Sequence, residues 1–389
     1  MGLKIEFVER ATKGEPVAQL CREFRISRQT GHKWLKRFQA QGYEGLGDRT
    51  RRPASTPLAT AEDIVVGVLR ERKRHPTWGP RKLAVLLAGA FGEAAPSERT
   101  VARILKRAEM VRARRSRRPV NFVDRAPTVQ AQAPNEVWTM DFKGWWLTVD
   151  GRRANPLTVR DAFSRFVLAA TLCPATSEAV KEVLTRLFRK HGVPHAMQCD
   201  NGPPFISVGS PGGLSVVSAW LMSLGVNIVR SRLASPQDNG AHERMHRDLA
   251  SEVEVAPADD LAAQQKALDK WRQVFNHVRP HQALGMKTPA EIYGPNQRRE
   301  GPRQRFDYRE GLVPTRVYAN GAFRFRGQQY FLSTPLRNQT VGIEAVAPTK
   351  IRIWFRELEL CTLDAEPEVD DSVYASVLAE EDEKRTKAA

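Results

Sequence analysis

Apolar positions near the start of the chain recur at helical spacing: Leu3, Phe7 and Val8, then EPVAQLCREF with Pro16 at a first helical position, then Trp34, Leu35 and Phe38 within RQTGHKWLKRF. Ser27 stands where a helix cap belongs. The pattern predicts short helices arranged as a helix-turn-helix unit over residues 1–53. In it Arg28, Gln29, Thr30, Lys33 and Arg37, with Lys36 beside them, fall on the outer face of the last helix, the face that meets DNA in such motifs. A small helical domain packing on its neighbours is the alternative; the basic outer face favours DNA.

The helical period returns after the breaker-rich DRTRRPASTP. TAEDIVVGVLRERKRHP, WGPRKLAVLLAGAF and SERTVARILKRAEM, the last capped by Ser97, predict a second helix-turn-helix domain over residues 58–110. Arg81, Lys82, Arg99 and Arg103 are its candidate phosphate contacts, which position a protein without reading sequence. RARRSRRPV then concentrates charge with no apolar face, so residues 111–133 read as a basic linker in which Arg114, Arg115, Arg117 and Arg118 track a phosphate backbone.

From Glu136 the period changes to two. EVWTMDFKGWWLTVDG and ANPLTVRDAFSRFVLAATL have the aromatic and β-branched content of antiparallel strands, with Asp150-Gly151 as a turn. Helix TSEAVKEVLTRLFRKHG, strand HAMQCD, helix LSVVSAWLMSLG, strand NIVRSRL and helix NGAHERMHRDLA follow, which predicts a central α/β domain on a mixed sheet over residues 134–298. Further on, TRVYANGAFRFRGQQYFLSTP and TVGIEAVAPTKIRIWFRELEL alternate as short strands, predicting a small β-barrel over residues 310–363, and an acidic disordered tail fills 364–389. The fold class expected is therefore multidomain.

Composition adds the partner. Lys+Arg 61 against Asp+Glu 44 leaves a net charge of +17, which makes a polyanion the first partner to consider. The four cysteines, Cys21, Cys173, Cys199 and Cys361, are scattered singly and suggest neither a disulfide framework nor a zinc ribbon. No apolar run approaches the roughly 18 to 20 residues that cross a bilayer, and MGLKIEFVERATKGE lacks the apolar core of a signal peptide, so a cytoplasmic, nucleoid-associated protein without a membrane partner is expected.

Asp141 lies in the first strand of the α/β domain, Asp200 ends the fourth, and Glu243 starts a helix. If the first and fourth strands are neighbours, the three acids converge. Crowded carboxylates resist ionising unless a cation neutralises them, and hard oxygen ligands suit Mg²⁺ or Mn²⁺. Two such ions, about 3.5 to 4 Å apart, serve in-line displacement at phosphorus. A single acid of this kind is more often a strand-end or cap residue; the set in this order points to phosphodiester chemistry.

DFKGWW around Asp141, CDNGPPF around Asp200, SPQDNGAHERMHRDL around Glu243 and FNHVRPHQALGMKTPAEIY together resemble bacterial insertion-sequence transposases of the integrase type. Those are DDE recombinases with a ribonuclease-H-like core, a superfamily that also holds retroviral integrases. The resemblance runs from Lys4 to about Leu360. It implies that Asp141, Asp200 and Glu243 are metal-binding catalytic acids holding two Mg²⁺ (or Mn²⁺) ions with DNA bound. It also implies that the enzyme binds the terminal inverted repeats of its element, nicks the ends and joins their 3′ hydroxyls to target DNA. Joining two ends implies a homo-oligomer, at least a dimer on double-stranded DNA.

Two departures stand out. The step from Asp200 to Glu243, 243 − 200 = 43 positions, exceeds the usual spacing, and the surplus falls in the loop-like ISVGSPGGLS. Position 243 + 7 = 250, basic in many relatives, is Ala250, which leaves two readings: Arg244 or Arg247 substitutes at the DNA, or joining is impaired.

Competing readings exist. His242-Glu243-Arg244-Met245-His246 matches HExxH, the zinc-protease helix, but no histidine follows at the expected short spacing and only Glu252 or Glu254 is near enough to complete a zinc site. Trp271, Val274 and Phe275 read as the apolar face of a core helix, with Asn276, Arg279 and His281 stitching the next turn to the body. The rival function is a catalytically inactive helix-turn-helix DNA-binding regulator derived from a transposase. Its weakness is that a regulator has no evident use for the acids.

Overall fold

The computed structural model describes residues 2–48, 59–111, 130–200, 202–230, 240–293 and 306–366. They fall into two compact units, Met1–Ala61 and Glu62–Ala389. In the first, α1 (Gly2–Thr12), α2 (Val17–Glu23) and α3 (Arg28–Gln41) enclose Phe7, Val8, Leu20, Cys21 and Leu46. Ser27 Oγ accepts from the Thr30 N–H at 3.1 Å, satisfying a donor left free at the start of α3. Gly31 is where α3 crosses its neighbours: a Cβ there would sit 2.7 Å from Cys21 Sγ and 2.8 Å from Phe7 Cζ.

The second unit opens with α4 (Glu62–Arg74), α5 (Pro80–Phe91) and α6 (Glu98–Arg107) around Val68, Trp78, Leu83, Leu87, Val101, Ile104 and Leu105. Pro80 begins α5 and Ser97 caps α6. The linker arginines Arg114, Arg115, Arg117 and Arg118 lie outside the described residues.

Strands follow: β1 (Val137–Phe142), the short β2 (Trp146–Leu147) and β3 (Arg153–Ala154), then β4 (Pro156–Asp161), β5 (Val167–Leu172), β6 (Ala196–Cys199) and β7 (Asn227–Arg230). Among the described residues β2 and β3 pair only with each other. The rest form a mixed sheet in the order β5-β4-β1-β6-β7, with β1 antiparallel to β4 and parallel to β6. Alternation along β1 and β4 separates two faces. Trp138, Met140, Leu157 and Val159 pack with α7 (Ser177–His191) and α8 (Val216–Ser223). Thr139, Asp141, Thr158 and Arg160 hold the alternate positions, and there His242 and His246 of α9 (Gly240–Leu249) bond to Thr139 and Thr158. One π-helical turn, Ala250–Glu254, continues α9. α10 (Leu261–His277) runs beside β5, and α11 (Pro289–Tyr293) closes the domain.

The C-terminal strands are β8 (Val313–Arg316), β9 (Ala322–Phe325), β10 (Gln328–Phe331), β11 (Thr340–Ala347), β12 (Lys350–Phe355) and β13 (Leu358–Asp364). The sequence predicts a small barrel here. The described strands instead form an open antiparallel sheet, β13-β12-β11-β8, and a separate β9-β10 hairpin. The physical reason is where the apolar face goes. Val341, Ile343, Ile351, Ile353 and Phe355 pack against Leu214 and Ala219 of the central domain, so the sheet need not close on itself to bury them. β13 also runs through Asp364, the residue at which the tail was expected to begin; residues beyond 366 lie outside the described ones.

Candidate active site

β1 and β6 run side by side in the register Val137↔Ala196, Trp138↔Met197 and Thr139↔Gln198; the same offset carries Asp141 to Asp200, just past the strand end. Glu243 occupies the first turn of α9. Asp141 is partly buried, while Asp200 and Glu243 are exposed. Burial, then the nearby Asp200 charge, and more weakly Glu243, push the Asp141 carboxyl up to about 7, against a hydrogen bond from the Phe142 N–H that pulls it down. Three acids on three elements thus share one electrostatic neighbourhood.

Behind Asp141 lies a polar layer that joins the two histidines of the HExxH motif to Thr139 and Thr158, the threonines being the part the sequence did not single out. Thr158 Oγ1 donates to the Asp141 carbonyl oxygen at 2.9 Å. Thr158 Oγ1 also meets His242 Nε2 at 2.7 Å and His246 Nε2 at 2.8 Å, and His242 Nδ1 meets Thr139 Oγ1 at 2.8 Å. His242 is fully buried and its pKa is driven well down by burial. His246 Nδ1 lies 3.9 Å from Asp141 Oδ2. One ligand atom from each of Asp141, His242 and His246 lies within 4.8 Å of the other two. The signal for this layer was present as Thr alternating with apolar residues in VWTMDF and PLTVRD.

A second polar cluster joins the α4–α6 domain to the sheet domain. Arg279, its side chain 4% exposed, bonds Asp248 Oδ1 through Nη2 at 2.7 Å and Glu252 Oε1 through Nη1 at 2.9 Å. Glu252 also accepts from Trp271 Nε1 at 3.0 Å and from Thr77 Oγ1. The Arg279 guanidinium lies 5.7 Å from the Trp78 ring centroid and 5.6 Å from that of Phe275, and Val274 packs against the α4–α6 core. Asn276 holds the other side, accepting from the Val167 N–H at 2.8 Å and donating to its carbonyl at 2.9 Å.

The expected DNA contacts distribute unevenly. Arg28, Gln29 and Lys33 are exposed and Thr30 and Arg37 half-buried on α3, where they line one groove with His32 and Lys36 apart from Thr30, whose hydroxyl meets Ser27 Oγ at 2.9 Å. Arg81, Arg99, Arg103, Arg244 and Arg247 are exposed. Lys82 is not: it is half-buried 5.9 Å from the Trp78 centroid, and burial followed by the Arg279 charge pushes its pKa down to about 8. His32 was missed by the sequence reading, although it lies one helical turn from Arg28.

Residues 131–236 match the integrase core domain family, and a further integrase core domain family matches residues 224–289. Helix-turn-helix and homeodomain-like families match residues 3–54 and 30–105. The chain thus carries regions that match integrase core and helix-turn-helix families, and it is similar to proteins of bacterial insertion elements. It is 26% identical over 304 residues to the uncharacterized 39.2 kDa protein of insertion element IS476 from Xanthomonas euvesicatoria, covering 77% of this chain and 84% of that one. It is 28% identical over 230 residues to the uncharacterized 31.7 kDa protein of insertion element IS407 from Burkholderia multivorans, covering 59% and 78%. Among solved structures, a simian T-cell lymphotropic virus intasome in complex with PP2A regulatory subunit B56 gamma covers 76% of this chain and 99% of its own at 16% identity and TM-score 0.37. The catalytic core domain of BIV integrase covers 41% and 93% at 23% identity and TM-score 0.32. The residues that match the integrase core families hold the mixed sheet, and those that match the helix-turn-helix families precede it. Among the described residues no helix is long and apolar enough to cross a membrane.

Proposed function

We propose that the chain is a DNA transposase that binds the terminal inverted repeats of its element, nicks the ends and transfers the 3′ hydroxyls to target DNA. The observation that carries this reading is Asp141, a partly buried carboxyl that its neighbours Asp200 and Glu243 help to push up to about 7. Such a set is poorly stable as bare anions, and its donors are hard oxygens, so it fits Mg²⁺ or Mn²⁺. Asp141 and Asp200 would hold the ions, with Glu243 completing one ion's ligands. Bound there, divalent ions supply charge neutralisation and Lewis acidity at the reacting phosphodiester.

The rest is done by the chain itself. The basic face of α3 binds the terminal repeat, and Arg99 and Arg103 add phosphate contacts from α6. Arg244 and Arg247, exposed on the same helix as Glu243, hold the strand at the acids and take the place of the basic residue absent at Ala250. Two copies of the chain act on paired DNA ends in the bacterial cytoplasm.

The test is a labelled duplex carrying the element end, incubated with plasmid and Mg²⁺, comparing wild type with Glu243→Gln. Joining of label to plasmid by wild type alone is the expected result. If both proteins bind the duplex and neither joins it, the regulator reading replaces this one.

A further inference from the structure

The HExxH motif in α9 finds no use as a zinc-protease site, yet its second histidine is placed for chemistry. Hydrogen positions around Thr158 can be counted. A hydroxyl has one hydrogen and two lone pairs. Thr158 Oγ1 spends its hydrogen on the Asp141 carbonyl oxygen, 2.9 Å away, which can only accept. Toward Thr158 Oγ1, therefore, both histidine Nε2 atoms, at 2.7 and 2.8 Å, must donate.

That assignment treats the two rings differently. With its hydrogen on Nε2, a neutral imidazole carries a lone pair on Nδ1. In His242 that lone pair is consumed by the Thr139 hydroxyl at 2.8 Å, so the ring has nothing left for a ligand. His246, with its hydrogen likewise on Nε2, also carries a lone pair on Nδ1. Its Nδ1 lone pair faces Asp141 Oδ2 across 3.9 Å. Two acceptors confront each other at a distance too long for a shared proton, since nitrogen–oxygen hydrogen bonds close at roughly 2.7 to 3.2 Å. A cation between them satisfies both.

We infer that His246 Nδ1 is a nitrogen ligand to the cation held at Asp141, and that it tilts this site toward Mn²⁺ over Mg²⁺. The inference rests on the proposal that Asp141 is a cation ligand. Imidazole nitrogen binds first-row transition ions far better than it binds Mg²⁺, which prefers carboxylate and water oxygens. His246 lies one turn beyond Glu243 on the same helix face, so α9 delivers an oxygen and a nitrogen donor together.

The probe is Mn²⁺ alone with the full chain and no DNA. Pulsed electron paramagnetic resonance should show nitrogen coupled to bound Mn²⁺ in wild type and none in His246→Gln. Glutamine places its amide nitrogen near Nε2 and keeps the bond to Thr158, while leaving the Nδ1 position empty. Mn²⁺ affinity should fall about tenfold in His246→Gln, with Mg²⁺ affinity changing by less than about threefold. His246→Asn, which returns an oxygen near Nδ1, should recover part of the Mn²⁺ binding. Mn²⁺ bound without nitrogen coupling in wild type overturns the inference, as does failure to bind Mn²⁺ at millimolar concentration; the wild-type spectrum decides even if a variant does not fold. Nitrogen-coupled Mn²⁺ in a protein that joins no DNA would keep the inference and sink the transposase reading. Strand transfer without nitrogen coupling would do the reverse.

Discussion

The α1–α3 helices enclose a core made of their own residues, while the α4–α6 helices borrow Val274 from α10 and are fastened by Arg279 to Asp248 and Glu252. Both stretches read from the sequence as basic helix-turn-helix domains. In the first, Arg28 and Lys33 remain exposed on α3; in the second, Lys82 is turned inward against Trp78. A cation in such a motif is therefore a DNA contact only if its helix face is not already a packing face. The second domain has become part of the unit that contains the acids.

The sharpest way to break this contrast is Arg279→Ala. Removing one partner of a buried ion pair typically costs about 3 to 5 kcal/mol, because it strands the carboxylates that remain. Calorimetry should show the larger unit melting earlier and the Met1–Ala61 unit unchanged; a shared shift would mean that the two are one folding unit.

The two units should also part on a pH ramp. Asp141 has a folded-state pKa raised to about 7 from an ordinary 3.8, so the folded protein holds that proton more tightly than the unfolded chain. Its stability is greatest below about pH 4 and declines by at most about 1.4 kcal/mol per pH unit up to pH 7. Glu15 and Glu23 of the first unit are displaced the other way by hydrogen bonds from Arg10, so their contribution is present at neutral pH and lost on acidification. In metal-free protein, Asp141→Asn should raise the melting temperature of the larger unit at pH 8 and leave it nearly unchanged at pH 4. No gain at pH 8 would mean that the acids are not in electrostatic strain.

The smallest effect is on DNA. Lys33→Ala should lower the salt dependence of end binding by about one unit of slope, and Lys82→Ala by far less. Equal slopes would put Lys82 on the phosphate after all.

The sequence carried some of this plainly. Helix starts at Ser27 and Ser97, and the end of α7 before Gly192, depend on local chemistry, and local chemistry is written in adjacent residues. The neighbouring placement of Asp141 and Asp200 could be inferred because acids at strand ends stand out against apolar runs. Arg279 was readable as a stitch, though not what it stitches: Asp248 and Glu252 are distant in the sequence and Trp78 lies in another domain. Nor does a run of alternating residues say whether strands close into a barrel or lie against a neighbour, since that depends on which surface arrives first.

The long step between Asp200 and Glu243 acquires a meaning of its own from the C-terminal sheet. A Cβ on Gly212 would sit 2.7 Å from Leu360 Cδ2, and Leu214 shares a core with Ile343 and Ile353. Arg230 reaches the Gly212 carbonyl and so pins the loop from the other side. The extra residues are a foundation, not slack. A chain shortened there would lose the seat of the sheet that follows, so loop and sheet stand or fall as a pair.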